Sequence, residues 1–402
     1  MNYLISAYSV NPYKGSEDSI GWNWVLQYEK NYKEGDRIIL LTKKFNEKDT
    51  RRGLKEFNIQ HVELVIVDVP NALNWFREKH SAFHHMYYIL WQHWAWLWVK
   101  HSGVRLDVIH HVTMNDYRIP SELYKAKGAK VIWGPMGGAQ VTPKSLKVYE
   151  KNQLVASFRE FVNKSCSWNP FYKKALRSYY KIYCINNETQ KQISRIVGKD
   201  VPLMPELALR DEYKNLPIRK GNNDIFKIVF VGRLIGKKGI AFLIDALSLM
   251  PTDMNWELLI FGDGDDRGLI EKQIADSDIG KNVKLMGNRP LNQIAEAYQQ
   301  ADVFVLPSLR ETSENVLLEA MAYAVPIVAF STSFCAQLNE QKCGIFVNTN
   351  QELEGIRDEF CNALVRLARD RQLCEDLGKN GYKFVNDELT WTKKYEAIVK
   401  DV

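Results

Sequence analysis

The stretch IFKIVFVGRLIGKKGIAFLIDALSLM, residues 225–250, decides the fold of the second half of the chain. It begins with a β-branched run typical of a buried strand, passes through a glycine-containing turn and continues with apolar residues at helical spacing. The alternation continues through WELLIFG, RGLIEKQIADSD, VKLMG, LNQIAEAYQQ, DVFVLPS, VLLEAMAYA and PIVAF. Strands that alternate with helices of about ten residues predict a parallel sheet with crossover helices, which is a Rossmann-like α/β domain.

The first half repeats this alternation and predicts a second α/β domain. Its segments are YLISAYS, GWNWVLQYEKNY, DRIILLTKK, HVELVIVDVP, DVIHHVT, AKVIWGP and KIYCINN. A polar stretch at 205–223 is predicted to be the linker between the two domains. We therefore predict an N-terminal domain over residues 1–205, a C-terminal domain over 206–385, and a helix within 386–402 that packs back on the N-terminal domain. Open α/β sheets bind ligands at the carboxyl ends of their strands, so we expect the active site between the two domains.

The composition, with 46% hydrophobic and 25% charged residues, is that of a soluble globular protein. Six cysteines without a CxxC pair, and an N-terminus that runs straight into a strand, predict a reducing, cytoplasmic compartment. The tryptophan-rich run Met86–Val99 has 14 residues, which is too short to span a bilayer. It suits a buried or an interfacial helix, and burial is favoured.

Positive charge is concentrated in the first half. Residues 1–200 contain 30 Lys and Arg against 18 Asp and Glu (+12), whereas the rest contains 24 against 30 (−6). Between Lys144 and Lys199 the basic residues interleave with aromatic ones, which favours an anionic partner; solvated basic helix faces are the alternative. No nucleic-acid-binding module accompanies the charge, so no nucleic-acid partner is predicted.

The turn GRLIGKKG, Gly232 to Gly239, predicts an anion site. A glycine after a strand lets backbone approach a ligand, and Arg233 and Lys238 bring two positive charges near a helix N-terminus. The turn is neither a Walker A loop nor a GxGxxG dinucleotide fingerprint. No GxGxxG follows the first strand either, which disfavours a nicotinamide oxidoreductase.

Two glutamates, Glu311 and Glu319, flank the predicted start of a helix near residues 314–316. The first N–H groups of a helix have no intrahelical partner and can bind phosphate. One carboxylate could then clamp a ribose diol while the other reaches a sugar hydroxyl, as a nucleoside diphosphate sugar would require. The alternative is that both glutamates are ordinary helix charges.

These runs carry a family resemblance. VGRLIGKKG, FGDGD, MGNRP and ADVFVLPSLRETSENVLLEAMAYAVPIVAF resemble the donor-binding domain of retaining glycosyltransferase family 4, whose GT-B fold has two Rossmann-like domains facing each other across a cleft. SAYSVNPYKGSEDSIGWNW, DVIHHVT and VIWGPMGGA extend the resemblance over the chain. It implies metal-independent, retaining transfer of a hexose-type sugar from a nucleotide diphosphate sugar, UDP favoured over GDP. The implied acceptor is a glycan or a polyprenyl-diphosphate-linked glycan of cell-surface polysaccharide synthesis.

The resemblance also implies residue roles. The implied catalytic residues are Lys238, Arg233, Glu311 and His111. The implied donor-binding residues are Gly15, Ser16, Gly232, Asn288, Arg289, Ser313, Glu314, Asn315, Val316, Leu317 and Glu319, and the implied acceptor-binding residues are His110, Gly137 and Gly138. Successive strand residues face opposite sides, so only one of the two histidines can face the cleft, and we favour His111. Thr312, Glu314 and Ala324 stand where the family often has glycine, and a positive φ would be costly there.

No cofactor and no metal are expected. Asp263 and Asp265 superficially resemble a metal-binding DxD pair, but carboxylates in a glycine turn usually cap the next helix. Lys238 and Arg233 would neutralise the negative charge of the diphosphate leaving group. The proposed reaction needs no covalent nucleophile, and we assign no general base. We expect action at the inner face of the cytoplasmic membrane, with peripheral association through the basic N-terminal domain. A GT-B-shaped sugar-nucleotide 2-epimerase and a non-catalytic nucleotide-sugar-binding protein are the alternatives.

Overall fold

The computed structural model describes residues 1–15, 17–70, 84–150, 153–210, 213–218, 224–311, 315–400 and 402. The chain forms two compact units. The first comprises residues 1–139, 162–206 and 391–402, and the second comprises 140–161 and 207–390. Residues 140–161, which the sequence reading placed in the N-terminal domain, therefore group with the second unit. The last helix groups with the first unit.

The first unit contains a six-stranded parallel sheet in the order β3-β2-β1-β4-β5-β6. Its strands are β1 (Asn2–Ser6), β2 (Arg37–Thr42), β3 (Val62–Ile66), β4 (Val108–His111), β5 (Lys130–Met136) and β6 (Lys181–Cys184). The helices of the first half of the chain are α1 (Glu17–Lys30), α2 (Glu47–Glu56), α3 (His84–His101), α4 (Gln153–Cys166), α5 (Pro170–Ser178) and α6 (Asn187–Val197).

The second unit repeats the topology, with the strand order β12-β11-β10-β7-β8-β9. Its strands are β7 (Phe226–Val231), β8 (Trp256–Phe261), β9 (Val283–Gly287), β10 (Val303–Leu306), β11 (Ile327–Phe330) and β12 (Gly344–Val347). Its helices are α7 (Ile240–Leu247), α8 (Arg267–Ala275), α9 (Leu291–Gln300), α10 (Asn315–Ala322), α11 (Ser333–Leu338), α12 (Leu353–Arg369) and α13 (Arg371–Asp387). The final helix, α14 (Trp391–Val399), packs on α1 in the first unit.

In both sheets the strand order reverses once. β1 pairs with both β2 and β4, and β7 pairs with both β8 and β10. Loops that leave two such neighbouring strands diverge, which opens a crevice at their carboxyl ends. The loops after β7 and β10 are those in which the sequence places its cations and Glu311.

The tryptophan-rich run lies within α3. Trp91 is fully buried and donates its indole N–H to the Val67 carbonyl oxygen at 2.9 Å, whereas Trp94, Trp96 and Trp98 are partly buried. Among the described helices, none combines the length and the apolar content that crossing a bilayer requires. All six cysteines are free thiols.

Candidate functional site

The loop after β7 approaches the loop after β10 at Gly239. The residues Gly236–Lys238 form a single 3-10 turn, and Gly239 ends the turn with φ +69°. A Cβ atom at Gly239 would lie 1.9 Å from the Pro307 carbonyl oxygen. The Leu309 N–H donates to the Lys237 carbonyl oxygen at 2.9 Å. The missing side chain of Gly239 therefore permits the close approach that brings Lys238 beside Glu311.

An ion-pair cluster joins these two loops. The Lys238 Nζ lies 3.0 Å from Glu311 Oε1, and the Lys237 Nζ lies 3.2 Å from the same oxygen. The Lys238 side chain is 9% exposed and that of Glu311 is 14% exposed. Partial burial weakens solvent screening, so these charges interact more strongly than a surface pair would. Lys237 was not selected from the sequence, although its place in the same KKG turn was the available signal.

Arg233 behaves differently from the lysines. Gly232 continues the β7 ladder by donating its N–H to the Phe261 carbonyl oxygen at 2.9 Å, and the exposed Arg233 side chain follows it. Arg233 pairs with no acidic side chain in the part of the chain that the structure describes. Both predicted cations, Arg233 and Lys238, thus lie on one loop. Of these two, Lys238 contacts Glu311 and Arg233 does not.

Glu319 lies in the second turn of α10. Its Oε1 is 3.6 Å from the Arg210 Nη2, and its Oε2 is 3.4 Å from the Tyr298 hydroxyl, which also lies 3.4 Å from the Val316 carbonyl oxygen. Burial, together with the charge of Glu319, raises the pKa of Tyr298 well above its usual value, so the hydroxyl is a donor at neutral pH. Arg210 and Tyr298 were not predicted, because no sequence spacing links them to Glu319.

The first turn of α10 presents the predicted backbone donors. The helix begins at Asn315, so the N–H groups of Asn315, Val316 and Leu317 belong to the turn that has no intrahelical acceptors. Ser313 and Glu314, like Thr312, lie outside the described residues. Ala324, just after the helix, adopts φ +57°, so this chain uses an alanine in a conformation that usually costs roughly 1–2 kcal/mol.

The loop after β9 carries two of the predicted donor-binding residues, Asn288 and Arg289. Gly287 has φ +68°, and its carbonyl oxygen accepts the Gly262 N–H at 2.9 Å. Asn288 and Arg289 are exposed beyond it. Both predicted residues are therefore accessible to a ligand at the carboxyl end of β9.

The aspartates of the FGDGDD turn have local partners. Asp263 accepts the Gly264 N–H at 2.8 Å and lies 3.4 Å from the Arg267 Nη1, while Asp265 is exposed. Over the described residues, no group of three or more His, Cys, Asp or Glu side chains is arranged to hold a metal ion.

The two adjacent histidines of β4, His110 and His111, lie inside the first unit. Neither imidazole is exposed, and in each ring both nitrogens have a protein partner. His111 contacts the Ser6 hydroxyl at 3.0 Å and the Tyr88 hydroxyl at 2.8 Å, and His110 contacts the Tyr28 hydroxyl at 3.3 Å and the Gly134 carbonyl oxygen at 3.2 Å. Burial lowers the pKa of each histidine to about 3, so both are neutral at pH 7. Both rings are enclosed because a parallel sheet is covered on both faces, and the cleft-facing role of His111 stays a prediction.

The other predicted residues of the first unit lie in its loops. Gly15 is exposed, and Ser16 lies outside the described residues. Gly137 is buried and donates its N–H to the Asn115 carbonyl oxygen at 3.1 Å, so that donor is committed to the fold. Gly138 has φ +118° and is partly exposed, which leaves it the more accessible of the two predicted acceptor-binding glycines.

Glu17 was not selected from the sequence. It is the first residue of α1, and its carboxylate accepts the Met114 N–H from the loop after β4. Burial, followed by the charge of Glu206, raises its pKa to about 8. A carboxyl group that stays protonated at neutral pH at the carboxyl end of this sheet is a candidate functional group. The sequence gives no signal for such a role, because an acidic residue at a helix start usually only interacts with the helix dipole.

Comparison with known proteins finds a family model that matches part of the chain and solved structures that share its fold. Residues 225–370 match the family model described as Glycosyl transferases group 1. The alpha-monoglucosyldiacylglycerol synthase of Acholeplasma laidlawii is 30% identical over 175 residues, which cover 43% of this chain and 41% of that protein. The amylovoran biosynthesis glycosyltransferase AmsK of Erwinia amylovora is 32% identical over 141 residues, which cover 33% and 35%. The crystal structure of Anabaena HepE in complex with UDP aligns over 100% of both chains with a TM-score of 0.62 and 16% identity.

The two repeated parallel sheets and this structural likeness define the chain as a GT-B protein with two Rossmann-like units. Residues 225–370 resemble the glycosyl transferases group 1 family, whose model they match. The resemblance to glycosyltransferases is therefore confirmed. The matched segments span less than half of the length of either curated relative.

Proposed function

We propose that the protein is a retaining, metal-independent glycosyltransferase that moves a hexose-type sugar from a nucleotide diphosphate sugar to a glycan or lipid-linked acceptor. The observation that carries the proposal is the 3.0 Å contact between the Lys238 Nζ and Glu311 Oε1, at the reversal point of the second sheet. Open α/β sheets bind nucleotides at this point. The match of residues 225–370 to the model of the glycosyl transferases group 1 family supports the same reaction class.

The cations suit the charge that develops during transfer. Breaking the bond between the anomeric carbon and the diphosphate leaves negative charge on the leaving oxygen, and preorganised positive charge stabilises that state. Lys238 is largely buried, and Arg233 is exposed on the same loop. In this proposal the diphosphate takes over the contacts of Lys238, while Glu311 becomes available to a sugar hydroxyl.

A second carboxylate suits the nucleoside. Glu319 is held by the Tyr298 hydroxyl and lies near the Arg210 guanidinium, so its carboxylate is oriented before a ligand arrives. A carboxylate can accept both hydrogen bonds of a ribose diol. We propose that UDP-sugars are preferred over GDP-sugars; the UDP complex of the structurally similar Anabaena HepE supports this choice.

The acceptor proposal rests on relatives and on surface chemistry. One relative is named an alpha-monoglucosyldiacylglycerol synthase, and another an amylovoran biosynthesis glycosyltransferase. We propose a glycan or a polyprenyl-diphosphate-linked glycan in cell-surface polysaccharide synthesis, used at the inner face of the cytoplasmic membrane. An acceptor of this kind combines anionic phosphate with an apolar chain, for which a basic and aromatic surface is suited.

A donor screen tests the proposal. Thermal unfolding is measured with UDP-, GDP- and ADP-sugars, and a ligand at 100 times its dissociation constant should stabilise the protein by roughly 2.7 kcal/mol. The stabilising donor is then incubated with and without candidate acceptors. Glycoside product with the donor's anomeric configuration supports the proposal. Conversion of the donor alone would indicate the 2-epimerase, and donor binding without turnover against any acceptor would indicate a non-catalytic binding protein.

Peripheral membrane association is proposed for the first unit. Trp168, in the turn before α5, is 70% exposed, and Phe171 on α5 is 80% exposed; the exposed Lys174 and Arg177 also lie on α5. Exposed aromatic rings beside basic side chains favour an anionic headgroup region. Co-sedimentation with vesicles containing anionic lipid should fall when Trp168 and Phe171 are changed to serine, but not for Phe45→Ser, a 62% exposed control. No binding of the unaltered protein at low salt would count against membrane association.

A further inference from the structure

A segment that leaves the first sheet is built into the second unit. We call residues 140–150 the strap. Leu146 is fully buried in the hydrophobic core of the second unit. The Ser145 hydroxyl donates to the Gln351 carbonyl oxygen at 2.5 Å. The strap is therefore fixed to the unit that carries Lys238 and Glu311.

A partly buried polar cluster provides a second attachment. The Tyr149 hydroxyl donates to Asp245 Oδ2 at 2.5 Å, and the Arg357 Nη2 donates to the same hydroxyl oxygen at 2.6 Å. Arg357 also donates to Asp245 at 2.9 Å, which closes a triangle of contacts. This attachment joins the strap to α7 and α12, away from the loop that carries Glu311.

The strap ends at Glu150, and this residue contacts the Glu311 loop. The Glu150 side chain is only 5% exposed; its Oε1 accepts the Thr142 hydroxyl at 2.5 Å and lies 3.4 Å from the Arg310 Nε. Arg310 immediately precedes Glu311, and a guanidinium keeps its charge under all ordinary conditions. The Thr142 contact orients the Glu150 carboxylate within the strap. A buried, oriented carboxylate thus forms an ion pair with the side chain of the residue next to Glu311.

We propose that Glu150 is a positioning residue that, through Arg310, fixes the loop carrying Glu311. The inference rests on the proposed function for its kinetic consequence, whereas the structural consequence is independent of it. If the loop is held less firmly, the Glu311 carboxylate occupies its place beside the donor sugar for a smaller fraction of the time. In the proposed site the diphosphate is bound by Lys238 on the loop after β7, so nucleotide affinity should change less than turnover. Small misplacements of a positioned group can lower turnover strongly.

The test compares two attachments of the same strap. Glu150→Gln keeps the shape and the acceptor for Thr142 but removes the charge, and Arg310→Gln removes its partner. Tyr149→Phe weakens the other attachment and serves as the matched control. Each of the first two variants should lower kcat by about tenfold, equivalent to roughly 1.4 kcal/mol, with the dissociation constant for UDP within about twofold of the unaltered protein. The Glu150/Arg310 double variant should be no slower than either single variant, because the two residues act as one unit.

Hydrogen exchange of the peptide containing residues 307–311 provides a readout that needs no activity. Exchange should accelerate in the Glu150 and Arg310 variants and stay unchanged in Tyr149→Phe. Equal loss of kcat in Tyr149→Phe, additive effects in the double variant, or unchanged exchange in both Glu150→Gln and Arg310→Gln would overturn the inference. A protein that turns over no donor at all would instead refute the proposed function, and the exchange comparison would still decide the role of Glu150. Should Glu150→Gln fail to fold, Arg310→Gln alone carries the test, since its side chain is 22% exposed.

Discussion

At the scale of single residues, the site is defined by side chains of opposite charge that lie close together. Glu311 has two lysine partners on one carboxylate oxygen, and one of these lysines is almost completely buried. The two imidazoles of β4, in contrast, are neutral and enclosed. Charge on the loop after β7, rather than a histidine, is therefore the feature to test first.

Lys238→Ala should lower turnover by at least about 100-fold, because one preorganised group at a developing charge is worth that much. The free energy of unfolding should change little, since Lys237 remains as a partner for Glu311. Turnover and urea unfolding are measured together, with the exposed Lys281→Ala as the control. Turnover near that of the unaltered protein in Lys238→Ala would contradict the assignment.

Lys394 predicts a pH-dependent stability in the first unit. Its ammonium donates to the Glu206 carbonyl oxygen and lies 4.2 Å from the centroid of the Trp391 ring. Burial lowers its pKa from 10.5 to about 7. The negative charge of Glu206 acts in the other direction and raises this pKa, but burial has the larger effect. Between these values the unfolded chain holds a proton that the folded protein has released. The stability that this group contributes is therefore present above pH 10.5 and is lost as the pH falls toward 7.

The measurement is the free energy of unfolding of the unaltered protein minus that of Lys394→Met. This difference should rise with pH by up to about 1.4 kcal/mol per pH unit between pH 7 and 10. Lys393→Met, at the exposed neighbouring position, should give a difference that does not vary with pH. A flat profile for Lys394→Met would show that the amine stays charged in the folded protein.

At the scale of elements, the two loops at the reversal point meet because one position has no side chain. Gly239 combines a positive φ with a Cβ direction that points at the Pro307 carbonyl oxygen, at 1.9 Å. Lys238 precedes this glycine, and Glu311 follows the β10 strand by five residues. The geometry of the ion pair is thus set by the backbone of both loops.

Gly239→Ala should destabilise the protein by roughly 2–4 kcal/mol, since it adds left-handed strain to a steric overlap. It should also weaken UDP binding, because Lys238 must move when the loops separate. Gly268→Ala in α8 has open space around its Cβ and should be neutral or stabilising by up to about 1 kcal/mol. Chemical denaturation of both variants checks the prediction, and equal stabilities would refute it.

At the scale of the whole molecule, the two compact units are not contiguous segments of the sequence. Residues 140–161 and 391–402 each group with the unit that is built mainly from the other half of the sequence. Loss of a strap contact should therefore affect the second unit although the strap follows the first sheet. The stability of such regions can be followed separately by hydrogen exchange.

Leu146→Ala should destabilise the second unit by about 2–5 kcal/mol, because a buried leucine leaves a cavity. Exchange should accelerate in β7 and α7 and remain unchanged in β1 and β4. Val148→Ala, at a 63% exposed position of the same strap, is the control and should have little effect. Equal acceleration in both sheets would mean that the strap also supports the first unit.

The sequence by itself determined the alternation of strands and helices, both parallel sheets and the placement of Lys238 and Glu311 in loops that follow strands. These follow from local periodicity and from the rule that ligands bind where strand order reverses, so neighbouring residues carry the information. It could not show that both histidines are enclosed, because strand alternation identifies two faces but not whether a helix covers each.

Only the tertiary structure decided the strap, the exchange of segments between units, and the contacts of Glu150 with Arg310 and of Arg210 with Glu319. The two ion pairs join residues more than 100 positions apart in the chain. No local periodicity encodes such a pair, because its energy depends on packing and burial that exist only once the whole chain has folded.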